Sequence, residues 1–248
     1  MQNVTTSVSG VCWSCGQTLE GSAALCAACG KVQPVISADG EQPDYFRVFG
    51  LTRKLALDTA ALERSFYRHS RKLHPDVYAR ASAEEQLWSL DQTSLLNDAY
   101  RTLKNPVART EYLLKLEGKP IASEEQQAKS VVQPGVQPGA TKEARVPADM
   151  LEEVFELNMQ LEEMRMNRKM GEDDPALRGD LEKARLQFEA QLAAVDDDLK
   201  SLWQQWDEAI DADASATAEP VKDKMFSLLD RRRYIRNLVR DVNDALGS

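Results

Sequence analysis

The chain has 248 residues, 42% hydrophobic and 29% charged, with a formal net charge of −9; this composition describes an ordinary soluble protein of one to three domains with a sizeable core. The charge is uneven, with residues 1–40 summing to −1, 41–118 to +1 and 119–248 to −9, which argues against general affinity for nucleic acid. No apolar run approaches the roughly eighteen residues of a membrane span, and the opening MQNVTTSVSG has neither the basic start of a secretory signal nor the arginines of a transit peptide. The expectation is a cytoplasmic protein without a membrane partner, with the mitochondrial matrix as the alternative.

Residues 1–40 hold all four cysteines, written CWSC, ten residues, CAACG: Cys12, Cys15, Cys26 and Cys29. Two Cys-x-x-Cys knuckles present four thiolates to one tetrahedral ion, with Gly16 and Gly30 permitting the tight turns. Structural zinc fits this pattern, and would supply the stability that so short a segment lacks. Iron in a rubredoxin-like site has the same spacing. Two disulfides need an oxidising compartment, and a redox pair would sit at a helix start in an α/β domain. Four thiolates leave no open position for catalysis.

Residues 44–118 alternate helical patterns with brief corners. In DTAALERSFYRHSRKL, residues 58–73, Leu62, Phe66 and Leu73 form one stripe, while Arg64, Arg68, Arg71 and Lys72 form another roughly opposite. Asp58 is placed to cap the helix and Pro75 to end it. A second helix over 83–104 offers Leu87, Leu95, Leu96, Ala99, Tyr100 and Leu103 as core, so His74, Pro75 and Asp76 fall at the corner of an antiparallel hairpin beside the basic stripe. Taken alone, the tripeptide is also an ordinary helix stop: a capping histidine, a breaker and a turn.

Residues 119–147 are rich in Pro, Gly and Gln and read as a linker. From 148 onward three helical stripes suffice for a bundle: Leu151, Val154, Phe155, Leu161 and Met164; then Leu181, Phe188, Leu192, Val195, Leu199, Leu202 and Trp206; then Met225, Leu228, Ile235, Leu238 and Val242. Leu151 and Phe155 are either core or an exposed apolar patch rimmed by acids. The fold expected is all-α: a small tetracysteine module in residues 1–40, a helical hairpin domain in 41–118, the linker, and a three-helix bundle in 148–248. The cysteine module and the helices share no stripe in the sequence.

The opening DYFRVFGL, the basic helix, the His-Pro-Asp corner and the longer following helix together resemble the J-domain family, and NDAYRTLKNPVARTEYLL, residues 97–114, resembles its HscB subfamily of iron–sulfur co-chaperones. No Gly/Phe-rich region follows, and no second set of Cys-x-x-Cys repeats. The resemblance implies that His74, Pro75 and Asp76, with Arg64, Arg68, Arg71 and Lys72, dock on the ATPase domain of a DnaK/HscA-type heat-shock chaperone. It implies too that MLEEVFELNMQLEE, residues 150–163, contacts an IscU-type scaffold through Leu151, Glu152, Phe155, Glu156, Met159 and Glu163. Glu152 and Met159 depart from the family pattern, which usually has Met and Glu there. The cysteine segment resembles the N-terminal module of eukaryotic HscB-type proteins.

The function so implied is an adaptor with no bond chemistry of its own. Two other readings compete: a J-domain adaptor for a client unrelated to iron–sulfur clusters, and a zinc-ribbon accessory protein. The latter needs a basic, aromatic surface for nucleic acid, where the cysteine segment offers only Lys31 and Trp13. Nothing in the sequence sets a nucleophile beside an oriented base, so an enzyme is not expected.

Overall fold

The computed structural model describes residues 10–19, 23–35, 43–120 and 148–247; most of the predicted linker, from residue 121 to 147, lies outside the described residues. Among them the architecture is helical, and the only extended pairings are two isolated bridges, Val11 with Thr18 and Leu25 with Val32. The chain forms two compact units, Met1–Leu113 and Leu114–Ser248.

In the first unit the helices are α1 (Tyr45–Val48), α2 (Thr59–Leu73), α3 (Ala83–Lys104) and α4 (Pro106–Leu116), with a 3-10 turn, Pro75–Tyr78, between α2 and α3. Local chemistry sets each start. Asp58 accepts from the Ala61 N–H at 2.9 Å, Ser82 and Glu85 form a reciprocal capping box at α3, and Asn105 accepts from the Val107 and Ala108 N–H groups. Pro106 opens α4, where its missing N–H would have had no partner anyway. Phe66 of α2 stacks on Tyr100 of α3 at 4.2 Å, and the Tyr100 hydroxyl donates to Glu63 at 2.9 Å. Tyr45 stacks on Tyr112, whose hydroxyl accepts the Tyr45 N–H at 3.0 Å, fastening α1 to α4.

The boundaries of α3 are those the sequence predicts; half of its buried face is not. Leu96, Ala99 and Leu103 are buried, Leu95 and Tyr100 partly so, but Leu87 is 55% exposed. The buried row runs instead through Glu85, Ser89, Gln92, Leu96, Ala99 and Leu103, a regular one-face spacing whose first half is polar. Each of those polar groups has a partner, as burial requires. Lys31 pairs with Glu85 at 2.8 Å, the Ser89 hydroxyl donates to the Leu73 carbonyl at 2.6 Å, and the Gln92 amide donates to the Gln33 carbonyl at 3.0 Å.

Two of those partners, Lys31 and Gln33, belong to the cysteine module, so the module and the helices share a packed surface although no stripe in the sequence connects them. Val32 is fully buried in one cluster with Leu73, Tyr78 and Leu96, and the Trp13 and Trp88 rings lie 5.3 Å apart. The module covers the polar end of α3, which is why charged and amide side chains there are inside and Leu87, one face away, is outside.

The second unit contains α5 (Leu151–Met170), α6 (Pro175–Asp211) and α7 (Ser215–Leu246), with a 3-10 turn, Ala148–Met150, ahead of α5. At 37 residues, α6 extends about 55 Å. Gly171 ends α5 in the left-handed region at φ 73°, and Asp174 caps α6 ahead of Pro175. The core takes Val154, Leu157, Leu161 and Met164 from α5, Leu181, Phe188, Val195, Leu199, Leu202 and Trp206 from α6, and Met225, Leu229, Ile235, Leu238 and Val242 from α7. The predicted second and third stripes hold, with Leu229 rather than the half-buried Leu228 inside, and Leu192 partly covered.

Candidate functional site

The His74-Pro75-Asp76 corner stands at the end of α2, exposed but held from behind. Pro75 has no N–H and breaks the helix, which leaves the Leu73 carbonyl in need of donors; the Ser89 and Thr93 hydroxyls of α3 supply them at 2.6 and 3.0 Å. The His74 carbonyl accepts from the Val77 N–H at 2.9 Å. The ring Nδ1 of His74 accepts the Asp76 N–H at 3.2 Å, and the Asp76 carboxylate lies 3.4 Å from that same atom. Asp76 is 91% exposed at its side chain, free to meet an incoming group.

Arg64, Arg68, Arg71 and Lys72 lie together on the solvent face of α2, lining one shallow depression with Tyr67. Arg64 approaches Asp58 at 3.9 Å with both side chains exposed, a contact worth little in water. The opposite face buries Leu62 and Leu73. His69, between the two faces, is held below its ordinary value of 6.5 by burial and by the nearby charges of Arg68 and Lys72.

The four cysteines converge. Their sulfurs all lie within 4.8 Å of one another, with Cys12–Cys29 and Cys15–Cys26 each at 3.7 Å. A disulfide would bring a pair to about 2.05 Å, whereas four sulfurs about 2.3 Å from a tetrahedral ion sit roughly 3.8 Å apart. The donor set fits a metal ion. Gly16 and Gly30 turn the two knuckles at φ 75° and 73°, and each donates its N–H to the carbonyl of the first cysteine of its pair, Cys12 or Cys26. Burial pushes the Cys12 thiol up, but hydrogen bonds from the Cys15 and Ser14 backbone, and from the Cys15 and Cys29 side chains, outweigh it and bring the group to about 6. Cys15 moves the other way, up to about 12: the Gln17 backbone favours its thiolate, but the Cys29, Cys12 and Cys26 sulfurs and burial outweigh it. Without an ion, one sulfur of the cluster therefore ionises while its neighbour keeps its proton, and metal binding must release that proton.

On α5 the structure separates the two readings of Leu151 and Phe155: they are 55% and 69% exposed. Met159, Met166 and Met170 are exposed as well. At about 100° per residue, these five fall within an arc of roughly 100°, facing away from buried Val154, Leu157, Leu161 and Met164. The helix is apolar on both sides, one side spent on the core. Glu152, Glu156 and Glu163 flank the exposed stripe and are themselves exposed. Glu153 accepts from the Gln187 and Gln191 amides of α6 and Asp149 pairs with Arg231 at 2.6 Å, which together fix the rotation of α5 and hold the stripe outward. Met166 and Met170 escaped the sequence reading, although their spacing of fifteen and nineteen from Leu151 continues the same face.

No family model matches the chain. Over 114 residues it is 34% identical to the iron–sulfur cluster co-chaperone protein HscB homolog of Arabidopsis thaliana. The aligned stretch spans 46% of this chain and 43% of that relative. The crystal structure of human co-chaperone protein HscB matches with a TM-score of 0.58 at 22% identity, covering 94% of this chain and 97% of that one. Chaperone HscB from Vibrio cholerae matches with a TM-score of 0.48 at 23% identity, over 81% and 96% of the two chains. In sequence over less than half its length, and in fold over nearly all of it, the chain is similar to the HscB co-chaperones.

Proposed function

We propose that this protein is a co-chaperone that stimulates the ATPase of a DnaK/HscA-type chaperone through its His-Pro-Asp corner and brings an IscU-type iron–sulfur scaffold to it on the second unit. The observation that carries the reading is the corner itself: His74 and Asp76 exposed, anchored from behind by Ser89 and Thr93, and flanked by Arg64, Arg68, Arg71 and Lys72 on one face. The basic face would speed association with an acidic surface and make it sensitive to salt, while the corner supplies the specific contact. The exposed apolar stripe of α5, rimmed by Glu152, Glu156 and Glu163, supports docking of the scaffold through Leu151, Phe155 and Met159. The tetracysteine cluster takes one structural zinc ion, the metal that four thiolates in tetrahedral array suit best, with iron second.

The chain supplies no reacting group in this mechanism. ATP hydrolysis belongs to the chaperone, whose conformational equilibrium shifts because the corner binds one of its states more tightly. The test is single-turnover ATP hydrolysis by the chaperone with increasing amounts of this protein. Wild type should accelerate it, and His74→Gln should abolish the acceleration while the circular dichroism spectrum stays that of wild type. A well-folded His74→Gln that stimulates like wild type would remove the corner from the mechanism.

A further inference from the structure

Between the second cysteine knuckle and the helices of the first unit lies a cleft of about 1200 Å3, larger than the roughly 300–1,000 Å3 of sites that enclose drug-sized molecules. One wall is Ala24, Leu25 and Ala27 of the knuckle; the other includes Val48 and Leu51, at and just beyond the end of α1. Leu73 and Val77, the residues on either side of the His74-Pro75-Asp76 corner, also line it. The cleft therefore opens beside the corner, and a partner seated on the corner reaches its mouth.

Its charged side chains are cationic. Arg47, Arg71 and Lys72 line it and, among the described residues, no aspartate or glutamate does, in a chain whose net charge is −9. The buried Cys26 sulfur on the knuckle wall, one of the four that would hold the ion, is the one group there that would bring negative charge. None of the three cations is ion-paired to an acid among the described residues. His69, also in the lining, is partly buried and held below 6.5, so it adds a neutral ring near pH 7. An apolar floor under three unpaired cations suits a chain segment that carries both apolar side chains and carboxylates. A small inorganic anion would leave the apolar walls wet, and a nucleic acid, although Arg64 and Arg68 continue the basic face beyond the cleft, would find no lining ring but the buried Tyr78 and the half-buried His69 on which to stack its bases.

We infer that this cleft is a second docking point for the same chaperone, receiving an acidic and apolar peptide segment of it while the corner engages its ATPase domain. The inference rests on the proposed co-chaperone reading. It also gives the cysteine module a role beyond its own stability, as one wall of a binding site that the helices alone do not form. Arg47 is the discriminating residue, because it lies on α1, outside the basic face of α2, and has no place in the docking of the corner.

The test titrates metal-loaded protein into the ATP-bound chaperone and reads the concentration giving half-maximal ATPase stimulation. Arg47→Glu, checked for unchanged metal content and circular dichroism, should raise that concentration about tenfold, equivalent to about 1.4 kcal/mol, and leave the maximum near that of wild type. In a second measurement a photoreactive phenylalanine replaces the exposed Ala27; it should cross-link to a chaperone segment holding at least one carboxylate among apolar residues. A half-maximal concentration within twofold of wild type, or a cross-link confined to a segment without acids, overturns the cleft inference while His74→Gln still tests the corner independently. If His74→Gln also stimulates normally, the co-chaperone reading fails and the cleft inference falls with it.

Discussion

Leu151 and Phe155 sit on a helix whose other face is fully committed to the core, and this makes binding and stability separable by substitution. Truncating both to Ala removes side chains that contact solvent, so the melting temperature should move by no more than a degree or two. If they are anchors for the scaffold, each contributes on the order of 1–2 kcal/mol or more, and the pair together should weaken binding roughly a hundredfold. Leu157→Ala, one turn away but buried at 2% exposure, is the control: it should cost about 2–5 kcal/mol of stability and leave scaffold affinity per folded molecule unchanged. Melting temperature and titration calorimetry on the same samples check both. A double variant that loses stability but keeps its affinity would return Leu151 and Phe155 to a structural role.

At the scale of elements, the informative one is α3. Its span, 83–104, is the one the sequence predicts, and the structure supplies the chemistry that sets its ends: a Ser82–Glu85 capping box at the start, and after it Asn105 capping the helix that Pro106 opens. Its lower core was legible too, in Leu96, Ala99 and Leu103. What escaped was the face formed by Glu85, Ser89 and Gln92, which looks like a solvent face in the sequence and is covered by a module 50 to 60 residues earlier. Periodicity reports whether one helix has an apolar side; it carries no signal for polar groups satisfied by a distant backbone carbonyl or ammonium. The candidate site divides in the same way. The cysteine spacing and the basic stripe could be read directly, the corner only together with its flanking helices, whereas Ser89 and Thr93, which hold the corner in place, resemble any surface hydroxyl.

The same packing predicts what metal loss does. Removing metal, by a chelator or by Cys26→Ser, should release Val32 and Gln33 from α3 and expose Leu96 and Tyr78 along with Glu85 and Gln92. Val32 alone loses burial worth roughly 1.5–3 kcal/mol. The melting temperature of the first unit should fall, Trp88 emission should shift to the red, and amide exchange in α3 should accelerate, while exchange in α6 and α7 stays as it was. Changes confined to residues 11–33, with α3 unaffected, would contradict this coupling and restore the module's independence.

For the molecule as a whole, the question is why one chain should carry the corner and the α5 stripe on different compact units. If the chain is the adaptor proposed above, it gains by making the second encounter intramolecular: with the scaffold bound, the chaperone would meet it at an effective concentration of order millimolar, far above micromolar components in solution. Such a gain exists only while both surfaces are intact on one chain. His74→Gln keeps the α5 stripe and loses the corner; the Leu151→Ala and Phe155→Ala double variant keeps the corner and loses the stripe. Mixed in equal amounts at micromolar concentration, the two supply every functional surface, yet no single chain holds both. The mixture should show the basal stimulation due to its intact corners but less than about a tenth of the additional stimulation that scaffold produces with wild type, because linkage accounts for a factor of 10²–10⁴. Full recovery in the mixture would mean that the two surfaces act independently, one as an ATPase activator and the other as a scaffold chaperone, and that their presence in one chain is not what couples them.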